Sequence, residues 1–287
     1  MSTQITTAFV EQYSANVLQL SQQRGSRLRA AVRVEPVTGK TAVIDRIGVV
    51  AAKRRTSRHA DTPQLDTPHS RRRVSLVDYD WSDMIDDADK VRTLVDPASP
   101  YAMAGAWAMG RAMDDEVIAA FTGAASAGVD GSVSVALPGT QQIAHASAGL
   151  TIDKLLQAKE RLDGADVDDA MARYVAVTAK QVTNLLSATE VKSADYNTVK
   201  ALVRGEIDTF LGFKFIRTER LGKDSGGNRQ VIAWAEDGVV LAVGKEPVAR
   251  VTERADKNYS TQVFYSMAIG AARLEEAKVV AIACVES

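Results

Sequence analysis

The sequence predicts a mixed α+β fold, and three observations predict it. Both ends of the 287-residue chain carry segments in which apolar and polar residues alternate, the period of strands. One long stretch between them, about Ala98 to Ala125, repeats apolar residues at three- and four-residue steps, the period of a helix. From about Gly131 to Leu241, short helical and strand-like segments follow one another and make a compact α/β insert.

The elements follow in order. Met1 to Gly25 is polar and Gln/Ser-rich, but Ile5, Phe9, Tyr13, Val17 and Leu20 form a thin stripe at helical spacing. That is too little apolar material for a core, so an arm that packs on something else is expected. Arg27 to Pro36, Thr41 to Val50 and Arg73 to Trp81 read as strands. Between the last two, Lys53 to Ser70 carries Pro63, Pro68 and many charges without apolar periodicity, which predicts a long, exposed, hairpin-like excursion. Loops of that length serve function or contact a partner. Asp96-Pro97 is a helix start, with an Asp cap and Pro at the first helical position. Met103, Ala106, Trp107, Gly110, Met113, Val117, Ala120 and Phe121 are the expected buried stripe of the helix that follows.

Farther on, strands are expected at Ser132–Leu137, Ala172–Thr178, Asp208–Arg217 and Gln230–Ala235, and helices at Thr151–Leu162 and Lys180–Ser187. Asp224 to Asn228 reads as a turn. Two closing strands, Ser260–Leu274 and Ala277–Val285, flank a tight turn at Glu275-Glu276.

Composition bounds the function. Lys plus Arg number 35 and Asp plus Glu 36, a formal net charge of -1, which argues against a dedicated nucleic-acid binder. Hydrophobic residues at 46% and charged ones at 25% predict a globular chain. The single Cys284 excludes an intrachain disulfide framework and fits a reducing compartment. Met1 to Arg24 lacks the pattern of a signal peptide, and no apolar run has the length of a membrane span, so a soluble protein that stays where it is made is expected.

Charge is sharply segregated. Lys53, Arg54, Arg55, Arg58, Arg71, Arg72 and Arg73 precede an acidic block of Asp78, Asp80, Asp83, Asp86, Asp87, Asp89 and Asp96. Adjacent patches of opposite sign suit a subunit that finds copies of itself in one register.

Catalytic constellations are not found. His59, His69 and His145 fall in loop-like sequence without ligand-spaced partners and read as solvated. Cys284, inside an apolar strand, reads as core. Asp78, Asp80 and Asp83 lack the Gly and Glu of a calcium loop. Asp114, Asp115 and Glu116 read as a solvated or inter-subunit acidic face, because adjacent helical residues point apart. No serine sits in a nucleophile elbow, and no cofactor motif is present.

The stretch VSLVDYDWSDMIDDADKVRTLVDPASPYAMAGAWAMGRAMDDEVIAAFTGAA, Val74 to Ala125, resembles the major capsid proteins of tailed bacteriophages. Its carriers are Asp86-Asp87-Ala88-Asp89-Lys90, then Asp96-Pro97, Ser99-Pro100-Tyr101 and the helix Ala108 to Asp114. The closing YSMAIGAARLEEAKVVAIACVE, Tyr265 to Glu286, is similar to the last strands of the same family.

The resemblance implies the Hong Kong 97-like phage capsid fold, an α+β fold with N-terminal arm, extended E-loop, P-domain with long spine helix, and A-domain. On this chain it implies an arm over 1–26 and a first P-domain part over 27–130, with the E-loop at 36–75 and the spine helix at 96–125. The A-domain would be 131–241 and the closing P-domain strands 242–287. It also implies a non-enzymatic subunit of an icosahedral head shell, built from hexamers and pentamers around double-stranded DNA without sequence-specific binding. The implied partners are further copies of itself, a portal protein and either a separate scaffolding protein or none, with a decoration protein left open and with no membrane and no cofactor. The protein would be made in the bacterial host cytoplasm and reside in the virion.

Inter-subunit contacts are expected from Lys53, Arg54, Arg55, Arg58, Arg71, Arg72 and Arg73 toward Asp83, Asp86, Asp87 and Asp89 of a neighbour, and reversal of Arg71–Arg73 to Glu is expected to block assembly without unfolding the subunit. Some relatives crosslink a Lys of the E-loop to an Asn; Lys53 and Asn258 match in residue type alone, so no crosslink is expected. A cellular nanocompartment shell of the same fold, an enzyme with its site at the α/β insert, and a nucleic-acid module in the basic loop are the alternatives.

Overall fold

The computed structural model describes residues 21–59, 61–62, 64–85, 98–187 and 209–286. The expected arm helix and the Asp96-Pro97 helix start lie outside the described residues. The chain divides into two compact units. One comprises 1–26, 78–111 and 245–267; the other comprises 27–77, 112–244 and 268–287.

In chain order the elements are β1 (Arg33–Pro36), β2 (Thr41–Ile47), β3 (His69–Ser75), β4 (Val77–Ile85), α1 (Ala98–Thr122), β5 (Ala125–Ala127), β6 (Val133–Val135), β7 (Gln142–Ile143), α2 (Ile152–Asp163), β8 (Arg173–Val177), α3 (Ala179–Ser187), β9 (Thr209–Phe210), β10 (Phe213–Arg217), β11 (Arg229–Ala235), β12 (Val239–Arg254), β13 (Ser260–Arg273) and β14 (Val279–Cys284).

The larger unit is built on a six-stranded sheet in the order β7-β14-β11-β8-β10-β9. Strand β11 explains its layering. Val231, Ala233 and Ala235 join Leu155, Leu162, Leu185 and Ile282 in one buried cluster, the side that α2 and α3 cover. Between them, Trp234 projects to the other face, where its ring lies 4.6 Å from Phe121 and 5.7 Å from Tyr174 and its Nε1 donates to the carbonyl of Ala31 at 2.8 Å. A strand covered on both faces reads as a continuous apolar run. Helix α2 begins where Thr151 accepts a hydrogen bond from the Lys154 amide, an N-cap.

A second sheet, β2-β3-β5-β6, carries the excursion between β2 and β3. Its register pairs Thr41 with Ser75 and Ile47 with His69. One face, with Ala42, Ile44 and Val74, packs on Val240, Ala242 and Leu274. The strand expected over Arg73–Trp81 is thus two strands broken at Leu76, whose amide bonds to Lys40 O at 2.9 Å. The strand expected over Arg27–Pro36 is instead a 3-10 turn at Arg29–Ala31 followed by the four-residue β1.

In the smaller unit, Trp81 of β4 meets Tyr265 of β13 edge-on at 6.2 Å. A Cβ added at Gly105 would lie 2.7 Å from both rings. Gly110 is tighter still: its Cβ would fall 2.4 Å from the backbone carbonyl carbon of Gly25, which itself adopts φ +71°. Gly110→Ala is therefore expected to push residues 21–26 off the helix and destabilise the protein by about 1–3 kcal/mol. Denaturant unfolding together with proteolysis near Arg24 measures it; an unchanged midpoint and cleavage pattern would contradict the close packing.

The buried stripe of α1 runs Gly105, Met109, Met113, Val117 and Phe121, with Gly110 and Asp114 beside it. Met103, expected in the stripe, is 45 % exposed. The helix is apolar around much of its circumference, so spacing alone does not fix the buried phase. Strand β12, the longest, was not expected: Val239 to Val243 are buried, but Gly244 to Glu253 are mostly exposed and include Pro247, which masks the alternation.

Candidate subunit-contact surfaces

The sequence of β2 and β3 sorts the basic block into two populations. Side chains alternate across a strand, so Arg71 and Arg73 share one face with Val43, Asp45 and Ile47, while Arg72 turns to the other. Arg72 is 2 % exposed. Its Nη2 pairs with Glu276, and its Nε lies 3.4 Å from the carbonyl oxygen of Leu274. Its expected role at a contact between copies gives way to one inside the fold, because a side chain this enclosed has no surface to offer. Arg71 pairs with Asp45 at 2.6 Å with both partners half exposed, and Arg73 donates to Asp130 O at 2.8 Å.

Lys53, Arg54, Arg55 and Arg58 are exposed on the excursion. Among the described residues their only hydrogen bond is from Arg55 Nε to Ser57 O at 2.8 Å. Val49, at 97 % exposed, and Val50 and Leu65 add apolar surface to the same loop. Of the expected acidic partners, Asp86, Asp87 and Asp89 lie outside the described residues. Asp83 is half-buried, and its carboxylate accepts the Met84 amide at 2.8 Å. The alternation of β4 turns Asp78 and Asp80 outward and Tyr79 and Trp81 inward, as their spacing predicts.

Charges are also built into the interior. Arg273, fully buried, donates through Nη1 to the carbonyls of Phe121 and Gly123 and through Nη2 to Val135 O, each at 2.8 Å. Two of those acceptors sit at the C-terminus of α1, where the helix dipole favours a cation. Lys154, buried in α2, donates to the carbonyls of His145, Ala148, Gly149 and Ala283 at 2.8–3.0 Å. Asp114 corrects the expectation of a solvated or inter-subunit acidic face: it is fully buried and accepts the amides of Arg27 at 3.0 Å and Leu28 at 3.1 Å. Asp115, its neighbour, pairs at the surface with Arg220. Cys284 is core, and burial pushes its thiol up to about 11, which leaves it inert at neutral pH.

The side-chain carboxylate of Glu286 is held by three side chains. Arg229 Nε and Nη2 grip it at 2.9 and 3.0 Å, Gln181 reaches it at 3.2 Å and Lys223 at 3.3 Å. The Arg229 hydrogen bonds, ahead of those from Gln181 and Lys223, hold it down at about 2, from an ordinary 4.5. A depressed carboxylate stabilises the fold above its unfolded pKa and loses that stabilisation as pH falls through the folded one. Glu286→Gln is therefore expected to be about 1–3 kcal/mol less stable than the wild type at pH 7. The gap should shrink between pH 4.5 and 2. A gap independent of pH in acid titrations followed by circular dichroism would contradict this.

Among the described residues no three His, Cys, Asp or Glu side chains are grouped to hold a metal ion, and no helix is long and apolar enough to cross a membrane. The geometry holds buried charge that shapes the fold and exposed charge on one long loop.

Comparison with known families decides what that geometry serves: the model of a family described as phage capsid protein matches residues 5–286. The chain belongs to the phage capsid protein family. A search of curated proteins finds no match to this capsid protein. Solved structures show its fold. It is similar to the capsid of Ralstonia phage GP4 with a TM-score of 0.78 at 9% identity, covering 98% of this chain and 96% of that one. The capsid of the cyanophage P-SCSP1u gives 0.77 at 17% identity, covering 100% and 96%. Mycobacterium phage Adephagia gives 0.70 at 15%, covering 100% and 99%. The fold is the Hong Kong 97-like capsid fold, and the protein is a major capsid protein of the virion shell.

Proposed function

We propose that this capsid protein closes into an icosahedral head as hexamers and pentamers around duplex DNA, with a structural and non-catalytic role. The observation that carries the reading is the excursion between β2 and β3. It displays Lys53, Arg54, Arg55 and Arg58 together with exposed Val49 and Leu65, with little of its own chain against it. A loop of this charge and length is an arm for a neighbour. Its proposed acceptor on the next copy is the acidic approach to α1, with Asp83, Asp86, Asp87 and Asp89 and, better placed on β4, the outward Asp78 and Asp80. Arg71 and Arg73, on the exposed face of β3, flank the same contact. In this reading the arm is 1–26, the E-loop 36–75, the spine helix 96–125 and the A-domain 131–241, with 27–130 and 242–287 forming the P-domain.

Separate scaffolding and portal proteins, and a decoration protein, are the proposed further partners, with assembly in the host cytoplasm. Near-neutral net charge suits a lining that releases its DNA, because a strongly basic one would hold it through counterion release. Electron microscopy of the purified protein is expected to show ring-shaped capsomers or closed shells. A monodisperse monomer under all assembly conditions would overturn the proposal, and a salt-resistant, sequence-specific complex in a gel shift would overturn its DNA part.

A further inference from the structure

The outer half of β12 is an open edge. Strand β1 pairs with β12 from Val240 to Val243, and Val37 N bonds to Val243 O at 2.9 Å. Beyond that point, among the described residues, the sheet order leaves β13 as the sole neighbour of β12. Successive side chains point to opposite faces, yet every residue from Val248 to Glu253 is exposed, Val248 at 40 % and Val251 at 53 %. Both faces and the outer edge of this segment are therefore open to a partner.

Backbone parity says which groups the edge displays. Tyr259 N donates to Arg254 O at 3.0 Å, and the side chains of Lys245 and Ser266 meet on one face. Both fit one antiparallel register, in which even-numbered residues of β12 bond to β13 and odd-numbered ones turn their amides and carbonyls outward. Pro247 obeys that rule: at an odd position it removes a donor from the open edge alone, where a strand tolerates it. Proline and charge blunt indiscriminate pairing at such an edge. The order of these charges, however, is its own complement. Turned antiparallel about Ala249, a second copy of the strand sets Lys245 opposite Glu253, Pro247 opposite Val251, and Ala249 opposite itself. It also brings Glu246 diagonal to Arg250. A slip by two residues in either direction loses the match of Lys245 with Glu253. Among the described residues Arg250 and Glu253 have no ion pair within their own chain.

We infer that β12 pairs edge to edge with β12 of a second copy, about a two-fold axis at Ala249. The outward amides and carbonyls of the two strands supply the affinity, and the charges at both ends supply the register. The contact rests on the shell reading for its supply of copies. Being isologous, it closes on itself: it joins subunits in pairs and cannot build a ring. Its place in a shell is therefore between one capsomer and the next, distinct from the contact proposed for the basic excursion.

Cysteine crosslinking of the full-length protein tests the register. Cys284, the one native cysteine, is buried, so an introduced thiol reports alone. In the paired strands the two Ala249 positions lie within disulfide reach, whereas the two Thr252 positions stand ~20 Å apart. Mild oxidation of assembled Ala249→Cys is expected to give reducible dimers, and assembled Thr252→Cys to stay monomeric on the same gel. Ala249→Pro removes the central donor of each copy without touching the bonds to β13. It is expected to leave capsomers that fail to join, raising the concentration needed for shells by about tenfold or more. Lys245→Glu is expected to act in the same direction, and adding Glu253→Lys to restore assembly; circular dichroism checks that each variant is folded. Absence of dimers at position 249, equal dimers at position 252, or normal shells from Ala249→Pro overturns the contact and leaves the shell reading standing. A wild type that forms neither capsomers nor shells overturns both.

Discussion

Replacing Arg273 with methionine is expected to cost about 3–5 kcal/mol of stability, a midpoint drop on the order of 10 °C. The side chain is fully buried, and its two terminal nitrogens hold three carbonyls on two elements. Nη1 bridges Phe121 O and Gly123 O at the end of α1, and Nη2 holds Val135 O on β6. Methionine fills most of the volume but leaves three carbonyls without donors, each at about 1–3 kcal/mol when water cannot reach it. It also removes one of the cations around Glu276, which relieves repulsion with Arg72 and moderates the loss. Arg273→Lys separates the two effects: it keeps the charge but cannot span acceptors on two elements, so it should recover less than half of the stability. Chemical denaturation of both variants measures this. A methionine variant within about 1 kcal/mol of the wild type would show that the carbonyls find other donors.

What the sequence made legible follows the range of the interactions concerned. Helix α2 is announced by Thr151 and a clean stripe of Ile152, Leu155 and Leu162, all within one segment. The strands β8 and β11 stand out as short apolar runs because both faces of their sheet are covered. The excursion carrying Lys53 to Arg58 is visible from Pro and charge alone. By contrast, the fates of Arg72 and Asp114 are decided far along the chain. Arg72 meets Glu276 across 204 positions, and Asp114 meets Arg27 across 87. Nothing local distinguishes Arg72 from Arg71 or Arg73 except the parity of the strand, and parity assigns a face without saying which face is covered. The expected stripe of α1 is buried at Gly110, Met113, Val117 and Phe121 but not at Met103 or Ala106: small residues and methionines surround the helix, so close approaches at Gly105 and Gly110 select the phase. The exposed half of β12 has no apolar face for a pattern to report.

Reversing Arg54, Arg55 and Arg58 to glutamate is expected to abolish shell assembly while leaving the subunit folded. The three side chains are exposed, and among the described residues only Arg55 makes a hydrogen bond, to Ser57 two positions away. Their loss should therefore change stability by no more than about 0.5 kcal/mol. At a contact the effect is larger. Each exposed pair contributes only about 0–1 kcal/mol, but reversal turns attraction into like-charge repulsion, which costs several kcal/mol per interface. A closed shell repeats that interface at every subunit, so a modest local cost shifts the assembly threshold steeply. The same reversal at Arg71–Arg73, which charge alone recommends, would not isolate assembly, because it buries a carboxylate at position 72 against Glu276 and unfolds the subunit. The partner is tested by adding Asp78→Arg and Asp80→Arg to the reversed loop, which should restore shells by exchanging the signs across the contact. Sedimentation velocity and electron microscopy read the assembly, and circular dichroism reads the fold. Undiminished shells from the loop reversal would remove the basic excursion from the contact. Failure of the exchanged pair, with the loop variant still folded and unassembled, would move the acceptor away from the outward face of β4.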